Sequence, residues 1–435
     1  MKKLLFFYLI ILSLVSLSCV AQMGAAGNNP VVVPDGGIET IAGRIVDRNF
    51  PSIFAPWNFG ADKQTNPGDP AARETRLTNI ARHDLYWNEW SSLGLKAGGD
   101  QPYVILSPQF TPESIQAALR MRAALLAMNP NLIILVNVHY FSVNGRGTWL
   151  PPGSPYFISG PKADEYNSRK LDFYHSEYQD LVAALCAALI KSGVFDGIMF
   201  DLWNSEKGDQ QQYAQANAAR LQLIRKVRAA IGDKAIIIGN CTNGFPTPEV
   251  ASYMNGMYME GFGSNFFPDW RTAAGNIHWA QSHFCQPVIT ALEGWYSCGS
   301  CQGDIAGIQQ GRADFARMRY VTALALVFSN GYTVFSDPNN LPTPDHLHDW
   351  YPFWSKSLGK ALGPLATLDR PDLSGAYTRQ FQKGEAVFNP SKRAVVVTFP
   401  ETRRSASTNA TGTSFTVAAG DGDLFLDMDA MPHNN

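Results

Sequence analysis

The sequence predicts a (β/α)8 TIM barrel followed by a small antiparallel β-sandwich-like domain. Eight short, continuously apolar runs alternate with helical patterns, which is typical of parallel strands buried on both faces of a sheet. Eight such units over roughly three hundred residues fit a barrel. After Ser374 the pattern changes to alternating strands with Gly-rich turns, which predicts the β-domain.

The predicted strands follow in order along the chain, most of them after a helical segment. The third follows TPESIQAALRMRAALLAMNP, and the fourth, FDGIMFDLWN, follows YHSEYQDLVAALCAALIKSG, where Gly193 stands at the expected helix end. An open doubly wound sheet is the main alternative, but no GxGxxG turn follows an early strand. The eight predicted strands are residues 52–57, 83–87, 132–140, 195–204, 235–240, 255–262, 287–295 and 332–337.

The N-terminal segment MKKLLFFYLIILSLVSLSCVAQ has two lysines and then a short apolar stretch, the build of an export signal. We expect cleavage after Ala21, with a bacterial lipoprotein site at Cys19 as the alternative that would add a lipid anchor. The protein is therefore expected to be secreted, periplasmic or associated with the outer membrane. The predicted parts are a signal peptide (1–21), a linker (22–49), the barrel (50–370) and the β-domain (371–435).

Composition limits the partners that we expect. The formal net charge of -2 gives no basic excess for nucleic acid. The 10 Trp and 16 Tyr suit flat, apolar-faced ligands such as sugar rings. We expect a monomer that needs no metal and no cofactor.

Five cysteines follow the signal, so at least one is free or pairs between chains. Cys186 lies in an apolar helical pattern and is expected to be buried. Cys298 and Cys301 are expected to form a loop disulfide in an exported protein, because a zinc site would need a second pair of ligands.

The predicted strands end in reactive side chains, and the carboxyl ends of barrel strands are where active sites form. Singly, each residue has an ordinary explanation: Asp201 as a helix cap, His139 as a structural histidine, Asp337 as a turn residue. The convergence of Asp201, Glu260 and Glu293 on one rim favours catalysis. Further strand-end residues are expected to bind substrate: Trp57, Asp84, Trp87, Asn137, His139, Tyr140, Trp203, Asn204, Asn240, Trp295 and Asp337.

Two carboxylates on one rim suit the cleavage of a glycosidic bond. One must be ionised, to attack or to stabilise an oxocarbenium-like centre, and the other must hold a proton for the leaving oxygen. Environment sets these roles, because apolar walls and a neighbouring like charge raise the pKa of a carboxyl group.

The segment FDGIMFDLWN resembles the fourth-strand pattern of a group of glycoside hydrolase barrels, DGI followed by two apolar residues and Asp. These include the endo-alpha-1,4-polygalactosaminidase-like group and families of hypothetical glycosyl hydrolases. The resemblance implies that Asp201 is the nucleophile and that Glu260, in MYMEGF, is the general acid/base. The tail QFQKGEAVFNPSKRAVVVTF resembles their β-domain. Glu293, in ALEGW, is a competing candidate for the acid/base.

We therefore predict an exported glycoside hydrolase that acts on a poly- or oligosaccharide. The first alternative is a surface glycan-binding protein on a degenerate barrel, which would keep the aromatic side chains and need no acid pair. The second is a polysaccharide lyase, which would usually use Tyr, His or Lys as its base.

Overall fold

Eight parallel strands of the chain form one barrel sheet in the computed structural model. The structure describes residues 40–58, 76–99, 103–144, 149–158, 168–203, 210–242, 244–262, 269–296, 305–339, 341, 343–369, 371 and 375–428. The barrel strands are β1 (Phe54–Pro56), β2 (Leu85–Asn88), β3 (Ile133–Val138), β6 (Gly197–Phe200), β7 (Ile236–Asn240), β8 (Gly256–Phe262), β9 (Ile289–Trp295) and β10 (Tyr332–Ser336). Between β3 and β6, the strands β4 (Ser142–Asn144) and β5 (Ser168–Lys170) pair antiparallel with each other.

The barrel sheet is ordered as the strands occur in the chain, and it closes on itself. Each strand pairs in parallel with the next, and a parallel bridge between Ile53 and Thr333 joins the first strand to the last. Seven of the eight predicted runs contain one of these strands in full, and the run 83–87 covers all of β2 except its last residue, Asn88. The predicted fold class is confirmed, and closure leaves the barrel sheet no free edge.

Helices cover the outside of the barrel, and several of them begin after residue types that cap helices. Thr111 accepts a hydrogen bond from the backbone of Ser114, and Asp269 accepts one from Thr272. Gly193 follows α4 with a positive φ, as expected at a helix end. The helices are α1 (Ile41–Val46), α2 (Arg76–Ala81), α3 (Pro112–Met128), α4 (Ser176–Lys191), α5 (Gln210–Ile231), α6 (Pro248–Ala251), α7 (Trp270–His283), α8 (Ile305–Arg312) and α9 (Phe315–Phe328). Among the described residues, no helix is long and apolar enough to cross a membrane.

The C-terminal strands form one antiparallel sheet of five, which packs on helix α9. Arg319 of α9 binds both carboxylate oxygens of Asp421, at 2.9 Å and 2.5 Å. Arg379 donates to the backbone oxygens of Leu326 and Ser329, at the end of the same helix. The sheet order is β11-β12-β15-β13-β14, with β11 (Tyr377–Phe381), β12 (Gly384–Asn389), β13 (Val395–Ser405), β14 (Thr411–Val417) and β15 (Asp421–Asp427).

At the amino end of β6, Asp196 is the centre of a buried ion-pair cluster. It accepts hydrogen bonds from Arg44, from Arg122 at 2.6 Å and 3.2 Å, and from the backbone N–H of Ile134 at 2.9 Å. Arg44 belongs to α1, so the predicted linker, residues 22–49, needs correction: residues 41–46 form a helix that packs on the barrel. The cluster ties α1, α3, β3 and β6 together.

Replacing Asp196 with Ala should lower the free energy of unfolding by about 3–5 kcal/mol, because a buried guanidinium group, that of Arg44, and a mostly buried one, that of Arg122, would lose their shared counter-charge. Urea denaturation of the variant measures this loss. The matched control is Asp180→Ala, whose carboxylate is 64% exposed and pairs with Lys226 at the surface. That change should cost less than about 1 kcal/mol. Equal losses in the two variants would contradict the role of the Asp196 cluster.

Candidate active site

Two of the predicted catalytic carboxylates share a single hydrogen-bond donor at the carboxyl end of the barrel. Asp201 directly follows β6, Asn240 ends β7, and Glu260 lies in β8. The amide nitrogen of Asn240, Nδ2, is 3.1 Å from Oδ1 of Asp201 and 2.7 Å from Oε2 of Glu260. Oδ1 of Asn240 accepts hydrogen bonds from Thr242, which fixes the orientation of the amide. Three neighbouring strand ends therefore hold Asp201 and Glu260 together.

Glu260 lies in a mostly buried position with an amide donor on each oxygen. Asn339 donates to its Oε1 at 2.6 Å, and Asn240 donates to its Oε2. Burial raises the pKa of Glu260, and the nearby charges of Glu293 and Asp201 raise it further, against the opposite effect of His346. A carboxyl group in these surroundings holds its proton more strongly than a free glutamic acid does.

Glu293 is fully buried, and side-chain donors occupy both of its oxygens. Tyr258 donates to Oε2, while Ser336 and the Nδ1 of His346 donate to Oε1, the latter at 2.9 Å. Burial alone would raise the pKa of Glu293. The charge of His346 and the three hydrogen bonds outweigh burial and lower this pKa. Glu293 is therefore an ionised carboxylate enclosed by donors.

His346, which sequence reasoning missed, stands between the two glutamates. Its Nε2 is 4.0 Å from Oε1 of Glu260, and its ring stacks on that of Trp57 at 5.0 Å between centroids. Burial would lower the pKa of His346, but the charges of Glu293, Glu260 and Asp345 raise it to about 9. The signal that could have found His346 is its place in the loop after the eighth strand, since such loops build the rim of a barrel.

Glu260, Glu293 and His346 are also residue types that bind metals, and one potential ligand atom of each lies within 4.8 Å of the others. We assign no metal to this cluster. Hydrogen bonds from protein groups already account for the carboxylate oxygens, and a protonated His346 has no lone pair to offer a metal.

A second polar group of side chains lies beside Asp201 on the same rim. Asn137 and His139 both approach Oε1 of Glu89, at 2.8 Å and 3.0 Å. Val138 pairs with Phe200, so the next residues of the two strands, His139 and Asp201, are neighbours. Burial raises the pKa of Glu89, while His139 and Asn137 lower it, and the net effect is a lowered pKa. His139, whose side chain is 29% exposed, therefore stays a candidate for substrate contact, whereas Asn137 is 2% exposed and donates to Glu89.

Several residues predicted to bind substrate instead lie in the core. Trp87 and Trp203 are 0% exposed, so neither ring offers a face to a sugar. Trp203 packs on Gly239 of β7, where a Cβ atom would meet its side chain at 2.9 Å. Tyr140 is equally buried, and its hydroxyl donates to the backbone oxygen of Leu202. Apolar strand-end residues can turn inward as readily as outward, and the sequence does not distinguish the two.

Two predicted acidic contacts are also corrected. Asp84 precedes β2 and therefore lies at the amino end of the barrel, where Ser52 and Asn129 donate to its carboxylate. Asp337 is fully buried, and Arg312 binds its two oxygens at 2.7 Å and 2.5 Å. Both carboxylates hold the fold together.

Trp57 and Trp295 are partly exposed on the rim. The Trp295 ring lies over Gly261, the residue after Glu260, which has a positive φ and no side chain to obstruct the ring. Both rings stay candidates for sugar contact. The predicted contact Asn204 and the predicted disulfide between Cys298 and Cys301 lie outside the described residues.

The sequence matches the model of a protein family, hypothetical glycosyl hydrolase family 15, over residues 154–385 of the 435. The chain belongs to this family. The matched region includes Asp201, Asn240, Glu260 and Glu293. The predicted resemblance to hypothetical glycosyl hydrolases is thereby confirmed, and this member of family 15 is a glycoside hydrolase.

Solved structures of other glycoside hydrolases are similar in fold. An alpha-amylase from Malbranchea cinnamomea is 10% identical, covers 91% of this chain and 99% of its own, and has a TM-score of 0.49. A maltogenic alpha-amylase from Thermotoga neapolitana is 10% identical, with 86% and 96% covered and a TM-score of 0.47. The glycoside hydrolase domain of PelA from Pseudomonas aeruginosa is 13% identical, with 68% and 99% covered and a TM-score of 0.42. No curated protein matches significantly.

The raised pKa of His346 predicts a pH-dependent stability. A pKa raised from 6.5 to about 9 stabilises the fold fully below pH 6.5, and the stabilisation is lost as the pH rises toward 9. The free energy of unfolding should fall over this range by up to about 3 kcal/mol. Denaturation at several pH values measures it against the variant His346→Gln, which should lack this part of the slope. Parallel pH curves for the two proteins would contradict the buried imidazolium.

Trp203 is fully buried, whereas Trp57 is partly exposed, so replacing each with Ala should lower the free energy of unfolding by different amounts. Trp203→Ala would leave a large core cavity and should lower the free energy of unfolding by about 3–5 kcal/mol. Trp57→Ala, at the partly exposed rim, should cost clearly less. Urea denaturation compares the two variants, and a larger loss for Trp57→Ala would contradict the assignment.

Proposed function

We propose that this family 15 member cleaves glycosidic bonds with Asp201 as nucleophile and Glu260 as general acid/base. The observation that carries the proposal is the shared Asn240 amide, which holds one oxygen of each carboxyl group. Glycoside hydrolysis requires two carboxyl groups that lie close to each other in one site.

The same amide limits the distance between the two carboxyl groups. Because both hydrogen bonds meet at one nitrogen atom, Oδ1 of Asp201 and Oε2 of Glu260 are less than about 6 Å apart. Retaining enzymes have a separation of about 5–5.5 Å, whereas inverting enzymes need roughly 6.5–9.5 Å to admit a water molecule. The geometry favours a retaining reaction.

In the first step, a carboxylate oxygen of Asp201 attacks the anomeric carbon while Glu260 donates its proton to the leaving oxygen. The glycosidic bond breaks, and the sugar becomes covalently bound to Asp201. In the second step, Glu260 accepts a proton from water as the water oxygen attacks the same carbon, which releases Asp201. The raised pKa of Glu260 suits the proton donor of the first step.

The environment of Glu293 argues against its role as the acid/base. It is 0% exposed, three side chains donate to its oxygens, and its pKa is lowered, so it has no proton to give at neutral pH. We assign Glu293 to the support of His346 and Tyr258. Trp57, Trp295 and His139 are the side chains that we propose for sugar contact.

We further propose that the substrate is a poly- or oligosaccharide outside the cytoplasm. The charged and then apolar N-terminal segment supports export, and the aromatic rings at the rim support contact with a sugar chain.

Glu260→Gln should reduce turnover of a natural glycoside by about 10²–10⁴-fold, because the amide cannot donate the proton that the leaving oxygen needs. Asp201→Asn should reduce turnover at least as much. Release of reducing ends from a panel of poly- and oligosaccharides identifies the substrate and measures the losses. Glu249→Gln, on the exposed face of α6, is the matched control and should keep full activity. Unchanged turnover in Glu260→Gln or Asp201→Asn would refute the assignment, and binding without any product would favour the glycan-binding alternative.

The product should first appear with the anomeric configuration of the substrate. Proton NMR spectra recorded in the first minutes of hydrolysis distinguish the two anomers before they interconvert. Initial release of the opposite anomer would rule out Asp201 as a covalent nucleophile.

A further inference from the structure

We propose that His346 is a positioning residue that supplies a fixed positive charge in the active-site wall and keeps Glu260 able to release its proton. This inference rests on the proposed function, in which Glu260 must give up a proton in one step and regain it in the next. No hydrogen bond between His346 and Glu260 is required, since the effect acts through charge over a distance of 4.0 Å.

The position of His346 is determined on several sides. Its Nδ1–H donates to Glu293, and the Trp57 ring stacks on the imidazole at an interplanar angle of 28°. The backbone of His346 has a φ of 62°, and its carbonyl oxygen accepts a hydrogen bond from Nδ1 of His348 at 3.0 Å. The ring therefore has little freedom to move away from Glu260.

The charged groups around His346 favour the imidazolium form. Glu293 from β9, Glu260 from β8 and Asp345 from its own loop all raise its pKa, and the hydroxyl of Tyr258 lies 3.3 Å from Nδ1. Against the desolvation of a buried ring, these anions bring the pKa to about 9. His346 is therefore a cation at neutral pH.

This cation opposes every other charge near Glu260. Burial, Glu293 and Asp201 all raise the pKa of Glu260, whereas His346 has the largest lowering effect on it. Without the cation, Glu260 would still protonate a leaving group, but it would rarely be ionised when water must be activated in the second step. A neutral side chain at position 346 could fill the space and bond to Glu293 without supplying this effect.

The test measures the pKa of Glu260 directly, with no substrate. Carbon-13 NMR of protein labelled at the glutamate carboxyl carbons follows the titration, and Glu260→Gln assigns the signal by its disappearance. In His346→Gln, the pKa of Glu260 should be higher than in the unmodified protein by at least about one pH unit. His283→Gln, the same change at the last residue of α7, is the control and should leave the titration of Glu260 within a few tenths of a pH unit.

An equal or lower pKa of Glu260 in folded His346→Gln would overturn the proposal. If that variant does not fold, nitrogen-15 NMR of the histidine rings in the unmodified protein decides, because His346 must be an imidazolium at pH 7. A neutral ring there would equally overturn the proposal. Neither measurement needs catalysis. If the protein proves not to cleave glycosides, these measurements therefore still decide whether His346 lowers the pKa of Glu260.

Once a substrate is known, kinetics separate the charge effect from a structural one. In His346→Gln, the alkaline limb of kcat/KM should move to higher pH, and the loss of kcat at neutral pH should diminish as the pH rises. A uniform loss at all pH values would show that His346 only supports the fold.

Discussion

The parallel pairing of the closed barrel is the constraint on which the active site depends. Because all eight strands run the same way, their carboxyl ends meet on one rim, and residues far apart in sequence become neighbours there. Strand β6 shows what this direction means for one residue type. Asp196, at its amino end, forms ion pairs with two arginines. Asp201, at its carboxyl end, is partly exposed and accepts a hydrogen bond from the amide of Asn240. The same side chain is structural or reactive according to the end of the strand that bears it.

A second constraint is electrostatic, since three carboxyl groups occupy one small region. Exposure decreases from Asp201, which is partly exposed, to Glu260 at 9% and Glu293 at 0%. Three negative charges this close together would repel one another, so the three acids differ in their hydrogen-bond donors, protonation or exposure. Glu293 has a counter-ion and three donors, Glu260 tends to hold its proton, and Asp201 reaches toward solvent. His346 lowers the pKa of both glutamates, but it lies 2.9 Å from Glu293 and 4.0 Å from Glu260.

Much of the fold and part of the site could be predicted from the sequence. Continuous apolar runs identified every barrel strand, because burial on both faces leaves a clear pattern. The expectation that active sites form at the carboxyl ends of barrel strands then identified Asp201, Asn240 and Glu260. It failed for Asp84, because the run 83–87 begins before the strand and its acid lies at the wrong end. It also failed for Trp203 and Asp337, whose burial depends on partners that are distant in sequence, Gly239 and Arg312. His346 was missed because its loop has no periodic pattern.

Backbone strain is a further property of the site that the sequence does not reveal. Three non-glycine residues near the carboxyl groups of the candidate site have a left-handed backbone: Trp57, Leu202 and His346, with φ of 52°, 54° and 62°. Such conformations cost about 1–3 kcal/mol each and persist only when their surroundings fix them. A side chain holds each carbonyl oxygen: Asn88 donates to Trp57 at 2.7 Å, Tyr140 to Leu202 at 3.2 Å, and His348 to His346 at 3.0 Å.

These three donors explain why residues away from the reacting groups matter to the site. Arg220 donates to the Tyr140 hydroxyl at 3.0 Å, so the turn after Asp201 is connected to helix α5. His348 is likewise bonded to His83, ahead of β2, at 3.0 Å. The rigid barrel thus imposes the strained turns that aim Asp201, Trp57 and His346. Tyr140, predicted as a sugar contact, contributes instead by fixing the backbone that follows Asp201.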